Sequence, residues 1–501
     1  MKLNALIEPF TFYCNDTLSQ ESVVTGLTMD SRAIEEGYVF IAVSGAKVDG
    51  HDYIDSAIKR GAVAVIGERS DIKDINAPYF YHPDLKTYIA KIAAHFYAPM
   101  PEIVVAVTGT NGKTSTACFT QQLWESLSYK AASIGTLGVR GQGVEQDGSL
   151  TTPDPVSLHH LLNDLQTKHK VTHVALEASS HGLVQHRLDG LTLNAAAFTN
   201  LTRDHLDYHK DEESYFQAKA LLFSERLPEK SVAVLNADSD RFHALESICT
   251  ARGQRIIDYG EQAAFLKIQS YDLKPQGVHL TLRAFDKDHL ISLPLVGKFQ
   301  IYNALAALGL CLAQSPDDQN RFERLLHGLE NLKGAPGRLQ AIAGHPKGAA
   351  VYVDYAHTPD ALDNILHALR HHTAGKLVAL VGCGGDRDAG KRPIMGRIAA
   401  DLADIAIITD DNPRTENADS IRAQMLADMP VHAKENVDFF NIAGRRNAIE
   451  QAVSLLQSGD VLVVAGKGHE QGQIIGSIVE PFSDVEEVEK AIIKFRQKLG
   501  L

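Results

Sequence analysis

Val107-Thr-Gly-Thr-Asn-Gly-Lys-Thr114 follows the apolar run Glu102-Ile-Val-Val-Ala-Val-Thr108 and precedes a helical pattern. A strand that ends in a Gly-rich turn and resumes as a helix is the phosphate-binding unit of mononucleotide folds. Gly109 and Gly112 let backbone N–H groups curl around phosphate oxygens. Lys113 neutralises charge there, and the Thr114 hydroxyl can reach Mg²⁺. Gly109, Thr110, Asn111, Gly112, Lys113, Thr114 and Ser115 are therefore the candidate nucleotide-binding residues. The usual loop has a Gly five residues before the Gly-Lys pair; Val107 stands there, so this is a shortened GxxGK[ST] loop. The competing reading is a plain Gly-rich turn, but packing alone gives no reason for Gly-Lys-Thr to open a helix.

Outward from this loop the pattern is α/β. His173-Val-Ala-Leu176, Ala195-Ala-Ala-Phe198 and Val232-Ala-Val-Leu235 are apolar runs of strand length separated by helical segments, which predicts a parallel sheet. Between Lys267 and Val296 the pattern turns to alternation, as in Val278-His-Leu-Thr-Leu-Arg283, which predicts antiparallel hairpins. Upstream, Tyr38–Val43 and Ala62–Ile66 read as strands around a helix over Asp52–Arg60, and two prolines in Ala98-Pro-Met-Pro101 break the chain. Downstream of Gly337, four strand candidates each run into a Gly- or Asp-rich loop: Ala350–Val353, Leu377–Val381, Ile405–Ile408 and Val461–Ala465. Three α/β domains are expected: 1–98, a central phosphate-loop domain 99–336, and a Rossmann-like 337–501.

Composition narrows the function classes. At 501 residues, 44% hydrophobic and 22% charged, the chain reads as a soluble multi-domain protein. A net charge of -13 argues against general binding to nucleic acid or an anionic membrane. Five scattered cysteines without a CxxC pair fit a reducing cytoplasm. No run approaches the roughly 20 apolar residues needed to span a bilayer, and the N-terminus lacks the apolar core of a signal peptide.

Several polar segments follow strands. In Leu176-Glu-Ala-Ser-Ser-His-Gly-Leu-Val-Gln-His-Arg187, Glu177 is a natural Mg²⁺ ligand or, equally, a partner for a helix N-terminus. Asn200-Leu-Thr-Arg-Asp-His-Leu-Asp-Tyr-His209 gathers His, Asp and Arg in the same domain as the phosphate loop. Lys219, within Ser214–Phe223, reads on pattern alone as a surface lysine snorkelling from an apolar helix. The absence of Asn-Lys-x-Asp argues against a GTPase, and Gly466-Lys-Gly-His-Glu-Gln471 is one glycine short of a dinucleotide finger. Asp354–Asp360, Cys383–Asp388 and Asp411–Arg414 are polar loops at the carboxyl ends of strands, where ligands of such sheets bind.

TGTNGKT, EASSHGLVQHR, NLTRDHLDYH, DYAHTPDAL, GCGGDRD, DNPR and AGKGHE occur in one order along the whole chain. In this the sequence closely resembles the Mur ligases, the ATP-dependent enzymes that build the peptide stem of bacterial cell-wall precursors. The resemblance implies a cytoplasmic, monomeric amide ligase joining meso-2,6-diaminopimelate to the D-Glu side chain of a UDP-muramoyl-dipeptide through an acyl phosphate. It implies Lys113, Glu177, His205 and Lys219 as catalytic residues. Thr114, Glu177 and His205 would hold Mg²⁺, and Lys219 would carry a carbamate, an anion able to support a second Mg²⁺, which reverses the surface reading. Asn303, Arg338 and Asp354 would bind ATP. Gln300 receives no role, since relatives often have Asn there. Met29, Ser31, Ala46, Lys47 and Val48 of the N-terminal domain would meet the UDP end. Thr151, Thr152, Ser179, Gln185 and Arg187 would line the muramoyl-dipeptide. Arg387, Asp411, Asn412, Pro413, Arg414, Gly466 and Glu470 of the C-terminal domain would take the amino acid, with Arg414 gripping its second carboxylate. The alternatives are the same ligation with lysine, a folylpolyglutamate-type ligase, or an ATP-driven switch without a ligase product. DNPR argues against the first and the UDP-binding N-terminal region against the second.

Overall fold

The structure is a computed structural model of the chain. It describes residues 1–14, 22–45, 48–148, 150–202, 204, 208–274, 277–431 and 433–500. These divide into two compact units, Met1–Leu266 with Leu305–Leu325 and Lys267–Ala304 with Leu326–Leu501.

The first unit holds two sheets. The N-terminal one runs in the order Tyr13–Cys14, Tyr79–Tyr81, Ala64–Gly67, Tyr38–Ala42, Gly26–Thr28, parallel except at the Tyr13–Cys14 edge. Side chains alternate across a strand, so Val39, Ile41 and Ile66 enter one core while Phe40, Ala42 and Val65 enter another. The larger sheet places Ile103–Thr108 between Ala195–Phe198 and His173–Glu177, with parallel neighbours Val232–Asn236, Arg255–Gly260 and Ala131–Gly135 further out. Registers Glu177↔Val107 and Phe198↔Thr108 bring the carboxyl ends of three strands level. The loops that follow those strands therefore start side by side.

In the second unit Leu266–Lys274, Gly277–Ala284 and Lys287–Leu293 form the antiparallel hairpins that the alternation predicts. Its six-stranded sheet runs Gln340–Ile342, Ala350–Asp354, Val461–Ala465, Leu377–Cys383, Ile405–Asp410, Phe439–Asn441. All pairs are parallel except Gln340–Ile342 with Ala350–Asp354. The four predicted strands are the central ones, buried on both faces: Leu377, Ala379 and Val381 face one core and Val378 and Leu380 the other. The two edge strands are too short to show a period. So are the arms of a separate hairpin, Gly472–Ile475 with Ile478–Pro481. No helix among the described residues is long and apolar enough to cross a membrane, and no disulfide joins cysteines among the described residues.

Candidate active site

The loop after Ile103–Thr108 takes its shape from its glycines. Gly109 has φ +146 and a Cβ there would strike the Thr199 hydroxyl; Gly112, at φ +86, caps the helix Lys113–Ser126 in the left-handed region. The neighbouring strand end clips the loop in place. Thr110 N donates to Asn200 O (2.9 Å), Asn111 N to Asn200 Oδ1 (2.9 Å), and the Thr199 hydroxyl to Asn111 O (2.6 Å). The result is a fixed turn ahead of a helix N-terminus, whose unbonded N–H groups and dipole suit phosphate. Lys113 folds back over it, Nζ donating to Gly109 O and Thr110 O at 2.8 Å each.

Glu177, 3% exposed, joins this loop to the next. Its carboxylate accepts from Thr114 Oγ1 (3.0 Å), Thr136 N (2.8 Å) and Thr136 Oγ1 (3.2 Å). Any side chain at Gly135 would collide with it. The helix-cap alternative for Glu177 is replaced by Ser179, whose Oγ accepts from Gly182 N (3.1 Å). One carboxylate and adjacent hydroxyls are hard oxygen donors of the kind Mg²⁺ accepts alongside nucleotide phosphates. Among the described residues no three His, Cys, Asp or Glu side chains form a metal cluster. His205 lies outside the described residues, as do Ala46 and Lys47.

Lys219 overturns the surface reading made from pattern. It is 1% exposed, on the helix Glu212–Leu221, with Nζ donating to Gly109 O (2.8 Å) and lying 4.3 Å from the Tyr215 ring centroid. The carbonyl of Gly109 thus serves both Lys113 and Lys219. Burial, and then the Lys113 charge, push the Lys219 amine well below its usual 10.5, with Asp204 opposing. The arrangement favours a neutral, nucleophilic amine.

The predicted dipeptide residues converge along one edge. Thr152 Oγ1 donates to Glu177 O (2.8 Å) and lies 3.0 Å from Ser179 Oγ; Thr151 Oγ1 is 3.1 Å from Thr136 Oγ1. Arg187 donates to Gln185 Oε1 from Nε (3.2 Å) and Nη2 (2.6 Å), and from Nη1 to Thr152 O. A cleft of about 180 Å³ opens beside them, lined by Gly135, Gly148, Leu150, Pro153 and Asp154 among others. Met29 and Ser31 lie at the N-terminal sheet, Met29 packed on its core and Ser31 opening a short 3₁₀ turn; Val48 is exposed.

In the second unit Asp354 is buried and accepts from Leu339 N (2.6 Å) and Ala356 N (2.7 Å). Burial raises its pKa against the pull of Arg338. The Arg338 guanidinium sits 4.5 Å over the Tyr355 ring, and its Nε is buried without a hydrogen bond. Asn303 Nδ2 donates to Gln300 Oε1 (3.0 Å), so Gln300, given no role from sequence, sets the Asn303 amide.

The amino-acid candidates gather beyond Ile405–Asp410. Asn412 Nδ2 donates to Glu470 Oε2 (3.0 Å). Arg414 has φ +52 and donates from Nη1 to Gly385 O (2.8 Å) and Asn412 O (3.5 Å). Its backbone is pinned to the small hairpin, by Arg414 N to Ile474 O (3.0 Å) and Gly476 N to Arg414 O (2.7 Å). Gly385 packs on Pro413 O, and a Cβ on Gly466 would come within 3.2 Å of Asp411 Oδ2. Arg387 is exposed and donates to Asp386 O (3.3 Å). Thr136, Thr199, Asn200, Gln300 and Lys467 are partners that sequence reasoning missed. A polar residue at a strand end was the available signal for the first three.

Three stretches match family models: residues 23–97 "Mur ligase family, catalytic domain", 107–311 "Mur ligase middle domain" and 337–468 "Mur ligase, glutamate ligase domain". A UDP-N-acetylmuramoyl-L-alanyl-D-glutamate–2,6-diaminopimelate ligase of Caulobacter vibrioides is 47% identical over 95% of this chain and 97% of its own. One of Rhizobium meliloti is 48% identical over 94% of each. A solved structure of an enzyme of that name is 33% identical and superposes with a TM-score of 0.70 over 99% of both chains.

Proposed function

The chain belongs to the Mur ligase family, and on that premise we propose that it is the ATP-dependent ligase joining meso-2,6-diaminopimelate to UDP-N-acetylmuramoyl-L-alanyl-D-glutamate in peptidoglycan precursor synthesis. The observation that carries the reading is the grip on Glu177. Thr114 of the phosphate loop holds its carboxylate, while Thr152 of the dipeptide edge holds its own carbonyl. One residue thus ties the place for a triphosphate to the place for the phosphoryl acceptor, the dipeptide carboxylate.

The reaction brings a carboxylate up to a triphosphate, so it needs concentrated positive charge. A D-Glu carboxylate oxygen attacks the γ-phosphorus, the bond to the β-phosphate oxygen breaks, and ADP leaves. The neutral amine of the amino acid then attacks the acyl carbon, phosphate leaves with the bonding pair, and the amine gives up a proton. Lys113, which donates to Gly109 O and Thr110 O, would exchange them for phosphate oxygens. Thr114, Glu177 and His205 would hold Mg²⁺, which when bound supplies further neutralising charge. Asn303, Arg338 and Asp354 are assigned to the nucleotide, and Arg187 with Thr152 and Ser179 to the dipeptide.

Lys219 is assigned a carbamate: its amine adds to the carbon of CO₂ and loses a proton. This replaces an amine whose protonated form is disfavoured by burial and by Lys113 with an anion attracted to Lys113. The low basicity of the buried amine supports the assignment. We further assign 1–98 to the UDP end, 99–336 to ATP and 337–501 to the amino acid, in a cytoplasmic monomer.

The test is mass spectrometry of products from ATP, UDP-muramoyl-dipeptide and equal diaminopimelate and lysine. A diaminopimelate adduct with one phosphate released per product is expected. A lysine adduct in excess, or ATP consumption without an amino acid, refutes the reading.

A further inference from the structure

The amino-acid pocket is built on a buried cation that the reaction itself does not call for. Lys467 follows Gly466 at the end of Val461–Ala465 and has no exposed surface. Its Nζ donates to Glu470 Oε2 (2.7 Å) and Asn412 Oδ1 (3.0 Å), with Asp411 Oδ1 at 3.8 Å. A fully buried ammonium is costly, and it persists only where its hydrogen bonds fix something.

What it fixes is the orientation of two side chains. Asn412 Oδ1 accepts from Lys467 and from Ile474 N (2.9 Å), and Nδ2 donates to Glu470. Turning that amide over would set its NH₂ against two donors, so only one orientation is possible. Glu470 Oε2 in turn receives both Lys467 and Asn412, which leaves Oε1 as the oxygen open to a ligand. The Glu470 side chain is one-third exposed where Lys467 is not exposed at all, so the pair presents a carboxylate outward.

The charge count points the same way. Asp411 and Glu470 bring two carboxylates, and Lys467 cancels one of them. Nearby, Arg445 and Asp484 form a fully buried pair bonded at 2.6 and 2.7 Å that cancels itself. Within this cluster, with Arg414 and Arg387 left to the substrate's own carboxylates, one negative charge remains, and Asp411 Oδ1 is buried without a hydrogen bond.

We infer that Lys467 is a positioning residue: it sets Asn412 and Glu470 and leaves the Asp411–Lys467–Glu470 cluster with one net negative charge, matching one incoming ammonium. The inference rests on the assignment of this loop to the amino acid. Lys467→Met keeps the length and volume but cannot donate. It should raise KM for diaminopimelate by about tenfold or more and leave KM for ATP and for the UDP-dipeptide within about twofold. Lys467→Gln retains a donor, and should raise KM for diaminopimelate less than Met does. With Glu470→Gln added, the Met variant should lose little more, because the two residues act as one unit. Unchanged KM for diaminopimelate overturns the inference, as do equal increases for all three substrates and failure of both single variants to fold. If the unaltered chain does not ligate diaminopimelate, the functional reading falls and takes this inference with it. If it does, and the variants keep its KM, this inference alone falls.

Discussion

Replacing Arg414 by Ala separates substrate reading from pocket support. The guanidinium spends Nη1 on Gly385 O and Asn412 O, leaving the Nε–Nη2 edge without a partner among the described residues. That edge matches a carboxylate bidentately. Truncating one partner of a desolvated charge pair costs roughly 2–5 kcal/mol. Arg414 is half-buried, so solvent screens part of the interaction and the lower end, about 2–3 kcal/mol, is expected. At about 1.4 kcal/mol per tenfold, that is roughly 30–150-fold in kcat/KM for diaminopimelate. The backbone adds nothing to the difference: φ is +52 at this position, and Ala carries the same Cβ as Arg. Lysine lacks the second carboxylate, so its kcat/KM should stay within about threefold. Steady-state kinetics with both amino acids on the purified variant gives the answer. Equal losses for the two would refute the reasoning and make Arg414 a prop for the Gly385 loop.

Lys113→Ala should lower kcat by about 10²–10³ with an unchanged circular dichroism spectrum, because the loss is electrostatic; near-normal phosphate release would contradict the loop's role. Lys219→Ala should lose most activity and regain part of it with added acetate, whose carboxylate can enter the vacated space; a full-activity enzyme whose Lys219 shows no mass of a carbamate would count against the assignment. Gly109→Ala should weaken ATP binding sharply, measured by calorimetry, since Cβ meets Thr199 and the φ of +146 is strained for Ala. Glu416, hydrogen-bonded to Arg392, has its pKa drawn from 4.5 to about 2. The unfolded chain therefore binds more protons there as pH falls from 4.5, and the stability this pair contributes is complete above 4.5 and lost toward about pH 2. Urea midpoints of the unaltered chain should drop across that window more than those of Glu416→Gln.

The parts legible in the sequence are those whose cause is local. Gly109, Gly112, Lys113 and Thr114 carry their chemistry in neighbouring backbone, and the loop forms where their spacing says it does. Continuous apolar runs gave the central strands, because a strand covered on both faces needs no polar alternation. The change to alternation over 267–296 gave the hairpins. Strands of three or four residues, such as Phe439–Asn441 and Gly472–Ile475, carried no period to read. The environment of each functional side chain came only with the tertiary structure. Lys219 has a helical neighbourhood like that of many surface lysines, and its partner Gly109 O lies 110 residues away. Thr136 meets Glu177 across 41 residues, and Lys467 meets Asn412 across 55. Periodicity states which face of an element is apolar, not which element covers it. Strand register and helix packing decide that, and with it which amine is stripped of water, which carboxylate is held, and which charge is left for a ligand.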